Sequence, residues 1–206
     1  MTFFPEVTPP DEDDSSEHYM APEWAAPPVD WLPSRIGVST VLATTDDIAV
    51  TVSGLSVHAA GLQIDVQWLL RNRHQNRRDW ATLMDRFGGG RWGNGAADPA
   101  RSIRFGVVLD DGRKVVADVG DAFHDDLTQA PTGPLLTLTE QGGSGDDSYF
   151  TTSARQWLWP IPPDGRLELV MSRPEFDVAE ARHTFEDHAY SVAARQARPI
   201  WSNEGN

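Results

Sequence analysis

The sequence predicts a mainly β protein, an antiparallel β-sandwich of about eight strands with one C-terminal helix. The first observation is that most apolar stretches alternate with polar residues, which is the period of a half-buried strand. The second is that glycine, proline and aspartate signals separate these stretches at short intervals, as turns do between strands. An immunoglobulin-like order of the strands is the topology that we expect first.

The first 35 residues differ in composition from the rest of the chain. They contain eight acidic residues and seven prolines against one base, Arg35. Such a segment has too little apolar surface to offset the entropy of ordering, so residues 1–35 are predicted to be a largely flexible, acidic, proline-rich tail. Residues 36–206 are predicted to form the domain. Trp24 and Trp31 interrupt the tail, and they either dock onto the domain or form a short motif that a partner recognises.

Two strands are predicted at the start of the domain. Apolar residues alternate from Ile48 to Val52, and after Gly54 the alternation continues from Leu55 on the opposite parity. A glycine at such a parity switch predicts a β-bulge. Residues 62–70 then alternate without interruption, which predicts a strand with one buried and one wet face.

A hairpin and several further strands are predicted in the second half. The residues Asp111-Gly112 predict a two-residue turn, because glycine accepts the positive φ that such a turn requires. Residues Gly142–Asp147 are predicted to be a flexible, acidic loop between two strands. The strands predicted here are Ile103–Leu109, Arg113–Ala117, Leu135–Gln141, Tyr149–Trp159, Arg166–Ser172 and one around Arg182–Glu186.

Only two segments have a helical pattern. Residues 188–198 place small apolar residues on one face, with Asp187 as the predicted N-cap and Pro199 as the residue that ends the helix. Residues Trp80–Phe87 are predicted to form one or two helical turns.

Composition excludes several classes of function. The net charge of −14, from 31 acidic and 17 basic residues, argues against non-specific binding of nucleic acid or of anionic membranes and is suited to a basic partner protein. The absence of cysteine excludes thiol nucleophiles and thiolate metal sites. There is neither a basic and apolar leader nor an apolar run of ~20 residues, so we expect a cytoplasmic protein without membrane association.

The run Trp157–Pro163 carries a resemblance to a known family. Together with the residues Arg104–Val107, the hairpin Asp110–Gly112 and Trp201, it resembles an uncharacterised family of actinobacterial proteins with a Trp-Leu-Trp-Pro-x-Pro-Pro motif. The resemblance extends over most of residues 36–201. It implies a bacterial, intracellular protein and a β-sandwich fold, and it implies no catalytic residue because that family has no assigned activity. More loosely, the order of strands resembles immunoglobulin-like bacterial modules.

A basic segment lies within this acidic chain. Between Arg71 and Arg104 there are eight arginines and three aspartates, a local charge of +5, with aromatic residues interleaved. The segment is a solvated connection, a docking surface for an acidic protein segment such as the chain's own tail, or a site for anions or single-stranded nucleic acid. The candidate binding residues are Arg71, Arg73, Arg77, Arg78, Trp80, Arg86, Arg91 and Trp92.

Motifs for catalysis are absent from the sequence. His124 with Asp125, and His183 near the C-terminus, lie in the two local histidine clusters, and neither has a standard metal-ligand spacing. The lone lysine, Lys114, lies beside the predicted hairpin and not in a phosphate-binding loop. We therefore predict no metal and no cofactor, and a non-enzymatic protein-binding or assembly module. The alternative is a hydrolase whose site is assembled from loops, with His124 or His183 as its base.

Overall fold

The computed structural model describes residues 21–73, 75–89, 103–117 and 130–201. These residues form a mainly β, antiparallel, sandwich-like fold with a C-terminal helix, which confirms the predicted fold class. The elements are β1 (Trp31–Leu32), β2 (Ser34–Ile36), β3 (Thr40–Thr44), β4 (Ile48–Val57), β5 (Leu62–Arg71), α1 (Arg77–Gly89), β6 (Arg104–Val108), β7 (Lys114–Val116), β8 (Leu135–Gly145), β9 (Tyr149–Trp159), β10 (Gly165–Arg173), a 3-10 turn (Pro174–Phe176), β11 (Val178–His188), α2 (Tyr190–Ala194) and β12 (Arg198–Pro199).

One layer of the sandwich is a six-stranded sheet in the order β2-β4-β5-β9-β8, with β3 also pairing with β4. Strands β4 and β5 follow the alternation predicted from the sequence, and the register of this pair shifts between Val52 and Gly54. The predicted bulge at Gly54 is therefore confirmed. Strands β8 and β9, of 11 residues each, pair along almost their whole length.

The other layer is a four-stranded sheet in the order β11-β10-β6-β7. The predicted turn between β6 and β7 has the right residues and the wrong length. The Leu109 amide donates to the Arg113 carbonyl and the Gly112 amide donates to the Leu109 carbonyl, both at 2.9 Å. This register leaves three residues in the loop, with Gly112 at φ 84° as the bulge residue of a three-residue hairpin.

The core fills the space between the two sheets. Every second residue of β5 and of β6 points into this space, and the Trp68 and Phe105 rings meet edge to face at 5.6 Å between their centroids. Each aromatic side chain of this size removes a large apolar area from water, so this contact holds the two sheets together. The opposite faces of both sheets are outer faces, and they differ in what covers them.

Strand β8 is longer than predicted. Gly142–Gly145, predicted as part of a flexible loop, continue the strand, and residues 143–145 pair with residues 150–152 of β9. A Cβ atom on Gly143 would lie 2.6 Å from the Phe150 ring, so this glycine permits a close approach of two strands. The turn itself is short, since the Asp146 side chain accepts the amides of Ser148 and Tyr149 at 2.7 and 3.0 Å.

The C-terminal helix is shorter than the predicted range of 188–198. Helix α2 spans five residues, because His188 ends β11 and Arg198 begins β12. Asp187 does not cap it. The Asp164 carboxylate instead accepts the amide of Ser191 at 2.7 Å and its hydroxyl at 2.6 Å, and these hydrogen bonds lower the pKa of Asp164.

Residues 21–36, here called the strap, pack on the sandwich. Strand β2 pairs with β4, and β1 pairs with β12 near the C-terminus. A domain boundary after residue 35 falls inside β2, so the second half of the predicted tail is part of the fold. Residues 1–20, for which flexibility is predicted, lie outside the described residues.

Helix α1 agrees with the helical pattern seen at Trp80–Phe87 and extends it at both ends. The Asn76 side chain accepts the amides of Arg78 and Asp79 at the start of the helix, at 3.1 and 3.0 Å. This is the usual role of asparagine as an N-cap. No helix of the described ranges is long and apolar enough to cross a membrane.

Candidate binding groove

The outer face of the four-stranded sheet carries a groove of about 250 Å³. Gly106 of β6 forms its floor, and the direct cross-strand neighbours of Gly106 are Val116 on β7 and Val170 on β10. Val108 lies two residues along β6 on the same face. Because Gly106 has no side chain, the three valines surround a depression in the sheet surface. The groove is therefore apolar at its centre.

Charged side chains lie around this apolar centre. Arg104 and Lys114 lie at opposite ends of the groove, on β6 and β7, and both are exposed. Arg182 of β11 lies along one side and is held by two carboxylates, Glu168 at 2.9 Å and Glu180 at 2.7 Å. The hydrogen bond to Glu180 is the main cause of a raised pKa for the Arg182 guanidinium.

The charges around the groove are partly paired with one another. Glu168 and Glu180 are committed to Arg182, and in the part of the chain that the structure describes Lys114 makes no ion pair. The groove thus presents a positive end in a chain with a net charge of −14. Val116 is 68% exposed at the edge of the sheet, so a large part of its apolar side chain faces the open groove.

The predicted arginine segment is mostly occupied by local contacts. Arg71 donates to the Asp46 carbonyl at 2.7 Å, and Arg73 forms an ion pair with the Asp46 carboxylate at 2.7 Å. Arg86 forms an ion pair with Glu175 at 3.0 Å. Nearby acids therefore balance Arg73 and Arg86, as the interpretation of a solvated connection expects, whereas Arg71 bonds to a backbone carbonyl.

The remaining members of the segment do not form one surface. Arg77 and Arg78 are exposed at the start of α1 and make no ion pair with another described residue. Trp80 is 1% exposed, and its indole donates to the Asp146 carbonyl at 2.8 Å. Trp80 anchors α1 to the β8–β9 turn with a buried ring, and its contact with a partner stays a prediction. Arg91 and Trp92 lie outside the described residues.

The two tail tryptophans have different surroundings. Trp24 is buried, and the neighbouring Glu23 carbonyl accepts the indole N–H of Trp157 at 3.0 Å. Trp31 is half-buried in the two-residue pair with Pro199. Of the two alternatives for Trp24, the structure therefore shows the side chain docked onto the domain. Of the two tryptophans in the Trp157–Pro163 run, Trp157 is buried beneath the strap and Trp159 is half-buried.

A second exposed apolar surface lies around the pair of β1 and β12. Its side chains come from both ends of the described chain, and nothing in the structure indicates what covers them. They are Val29, Leu32, Val192, Ile200 and Trp201.

Of the residues considered for catalysis, the structure describes His183. His183 packs against Phe185 at 4.9 Å between ring centroids, and His124 with Asp125 lies outside the described residues. Ser56 and His58 are buried on the outer face of the six-stranded sheet, and neither the Ser56 hydroxyl nor His58 Nδ1 has a hydrogen-bond partner among the described residues. No hydrogen bond of a nucleophile to its base therefore joins them. Within the described ranges, no three His, Asp or Glu side chains are grouped as metal ligands would be.

Comparison with known proteins gives no match: no protein-family model, no curated protein and no solved structure is significantly similar to this chain. The resemblance to the actinobacterial family stays a prediction.

The sequence reasoning missed the groove. Val108, Val116 and Val170 come from three strands, and each one occupies the outward parity of a strand whose inward positions are also apolar. A valine at an outward position of each strand was the available signal, because a wet outer face is normally polar.

Proposed function

We propose that this protein is a non-enzymatic binding module that recognises an extended, acidic segment of another protein in the groove over Gly106. The observation that carries the proposal is an apolar depression between two basic ends on an outer face that no described residue covers. The cytoplasmic location and the immunoglobulin-like order of strands, predicted above, remain part of this proposal.

The size of the groove favours a peptide side chain over a whole small molecule. Pockets for cofactors and drug-sized ligands measure ~300–1,000 Å³ and enclose most of the ligand. This groove is smaller, at about 250 Å³, and it lies open on a sheet surface. One or two large apolar side chains of an extended segment would fill it.

The charges favour an acidic segment over a basic one. Lys114 and Arg104 lie at the two ends, whereas the nearby carboxylates of Glu168 and Glu180 are paired with Arg182. A carboxylate beside an apolar anchor would meet the positive charge of Lys114, which makes no ion pair with another described residue. Complementary charge of this kind sets specificity and the rate of association, while the buried apolar anchor supplies most of the affinity.

The test uses random peptides displayed on phage and selected against the full-length protein. Peptides of about twelve residues span ~40 Å when extended, which exceeds the length of the groove. We expect the selected peptides to combine Asp or Glu with a large apolar residue, and we would measure their affinity by fluorescence anisotropy.

Three variants assign the binding site. Val116→Glu places a negative charge in the apolar wall, and we expect affinity to fall at least about tenfold, or ~1.4 kcal/mol. Val41→Glu is the matched control, since Val41 is an exposed valine on β3, with 59% exposure against 68% for Val116. Arg78→Glu tests the arginine segment and should leave affinity unchanged. Selection of basic peptides, or equal losses for Val116→Glu and Val41→Glu, would contradict the proposal.

A further inference from the structure

The start of the strap lies one strand away from the edge of the six-stranded sheet. Trp157, whose indole donates to Glu23, lies on β9 directly opposite Thr137 of β8. Strand β8 in turn contacts β7, which forms the edge of the groove. The route from the start of the strap to the groove therefore crosses only one strand of each sheet.

The length of chain before the strap is sufficient for this route. Two strand spacings of ~5 Å, one sheet separation of ~10 Å and the side-chain layers amount to roughly 30 Å. Residues 1–20 span up to ~66 Å when extended. The ten residues from Asp11 to Ala21 account for ~33 Å of that length, so the first residues of the acidic run Asp11–Asp14 can reach the β7 side of the groove, where Lys114 lies.

The composition of the same segment matches the groove. Asp11, Glu12, Asp13 and Asp14 form a continuous acidic run, and Phe3-Phe4 lie seven or more residues further from the strap. The groove has the complementary arrangement, with a basic residue on β7 and an apolar depression one strand further in. Charge and apolar character thus occur in the same order along the segment and across the groove.

We propose that residues 1–20 occupy the groove of their own chain, with the acidic run against Lys114 and Phe3-Phe4 over Gly106, and so compete with the partner segment. This inference rests on the proposed function of the groove as a peptide site. A tethered segment has an effective concentration in the millimolar range, so even a weak contact lowers the apparent affinity for a partner. Neutralising the acidic run should then raise that affinity.

The lone lysine makes the test specific. A zero-length carbodiimide reagent joins an amine to a carboxylate only when the two are in contact, and Lys114 is the single side-chain amine of the chain. Full-length protein treated in this way should yield an amide between Lys114 and one of Asp11–Asp14, identified by mass spectrometry. The yield should fall at an ionic strength of about 1 M, where the Debye length is ~3 Å.

Matched controls separate the outcomes. Lys114→Arg keeps the charge and removes the reactive amine, so this crosslink should disappear. In a mixture of nitrogen-15-labelled and unlabelled chains, the crosslinked peptides should carry one isotope only. Mixed-isotope crosslinks, or crosslinks from Lys114 only to carboxylates of the folded domain, would overturn the inference.

A second measurement distinguishes failure of this inference from failure of the proposed function. In the full chain with Asp11, Glu12, Asp13 and Asp14 changed to their amides, a phage-selected peptide should bind about threefold or more tightly than to the wild type. If affinity is unchanged while Val116→Glu still abolishes peptide binding, the groove function stands and the intramolecular contact does not. If no peptide depends on Val116, the proposed function itself fails.

Discussion

The two outer faces of the sandwich differ in polarity and in how far they are covered. On the six-stranded sheet, a row of side chains runs across the strands beneath and beside the strap, and most of its members are buried although several are polar. The row consists of Arg35, Ser56, Gln63, Trp157 and Thr137. On the four-stranded sheet, the corresponding central row contains Val116, Gly106 and Val170 and has no such cover.

This difference separates a covered surface from the surface that we propose for binding. Polar groups on an outer face do not need to be shielded from water. The contacts of the strap therefore hold the N-terminal part of the fold in place. Its contacts are specific: Arg35 forms an ion pair with Asp65 at 3.0 Å, and Trp157 donates to Glu23. Apolar groups on an open outer face are the opposite case, and they are typical of contact with another chain.

The largest expected effect comes from removing the anchor of the covered face. Trp157→Ala deletes an indole that is 2% exposed and leaves a cavity under the strap. We expect the free energy of unfolding to fall by about 3–5 kcal/mol, as for other buried aromatic residues. Urea denaturation measures this change. Trp201→Ala, at an indole that is 69% exposed, is the control and should change stability by about 0.5 kcal/mol or less. Equal losses would mean that the strap does not depend on Trp157.

A smaller effect is expected from a methyl group on Gly61. An alanine Cβ at this position would lie 2.6 Å from both the Leu158 carbonyl oxygen and the Trp157 ring, so the backbone must move. We expect Gly61→Ala to destabilise the fold by about 1–3 kcal/mol, the usual cost of overpacking. At Gly37 a Cβ would meet nothing within 4 Å, so Gly37→Ala should be neutral in the same denaturation experiment. A neutral Gly61→Ala would show that the contact with Trp157 is loose.

The smallest effect expected is a pH dependence of stability, through His58 on the covered face. His58 packs edge-on against Trp157, and burial, with a contribution from the Arg35 charge, lowers its pKa below 6.5. Because the unfolded chain binds this proton more readily, stability is retained above pH 6.5 and is lost as the pH falls from there towards the lowered pKa.

The slope of that loss has an upper limit of about 1.4 kcal/mol per pH unit, the value for one proton. Urea midpoints measured between about pH 7.5 and pH 5 would show it, with His58→Gln as the reference that cancels all other titrations. If wild type and His58→Gln lose stability in parallel, His58 is not the group responsible. The groove on the other face should not respond to His58 at all.

The strands with regular alternation could be predicted from the sequence, and β5 is the clearest case. There each inward residue is apolar and each outward residue except Leu69 is polar, so local pattern and burial agree. Strand β8 shows why the rest could not be predicted. The Gly-Gly-Ser-Gly stretch has weak strand propensity, and it is extended because β9 pairs with it.

The strap and the groove could not be predicted from the sequence for a related reason, because both depend on contacts between distant segments. The proline and acidic residues of the strap suggest disorder, whereas its contacts with β4, with β12 and with the Trp157 indole hold residues 21–36 in place. The groove depends on which strands become neighbours. The contact of Gly106 with Val116 and Val170 joins segments up to 64 residues apart in the chain, and no local pattern contains that information.

The pairing of β1 with β12 has a mechanical consequence. Trp31 lies opposite Pro199, and the Ile200 amide donates to the Asp30 carbonyl at 2.8 Å, so the chain leaves this pair at residues 29 and 201 from the same end. A force that separates residues 29 and 201 acts on these few hydrogen bonds one after another, before it reaches the long ladders of the sandwich. Such a force would open the pair of β1 and β12 first and leave the strand pairs of the two sheets intact.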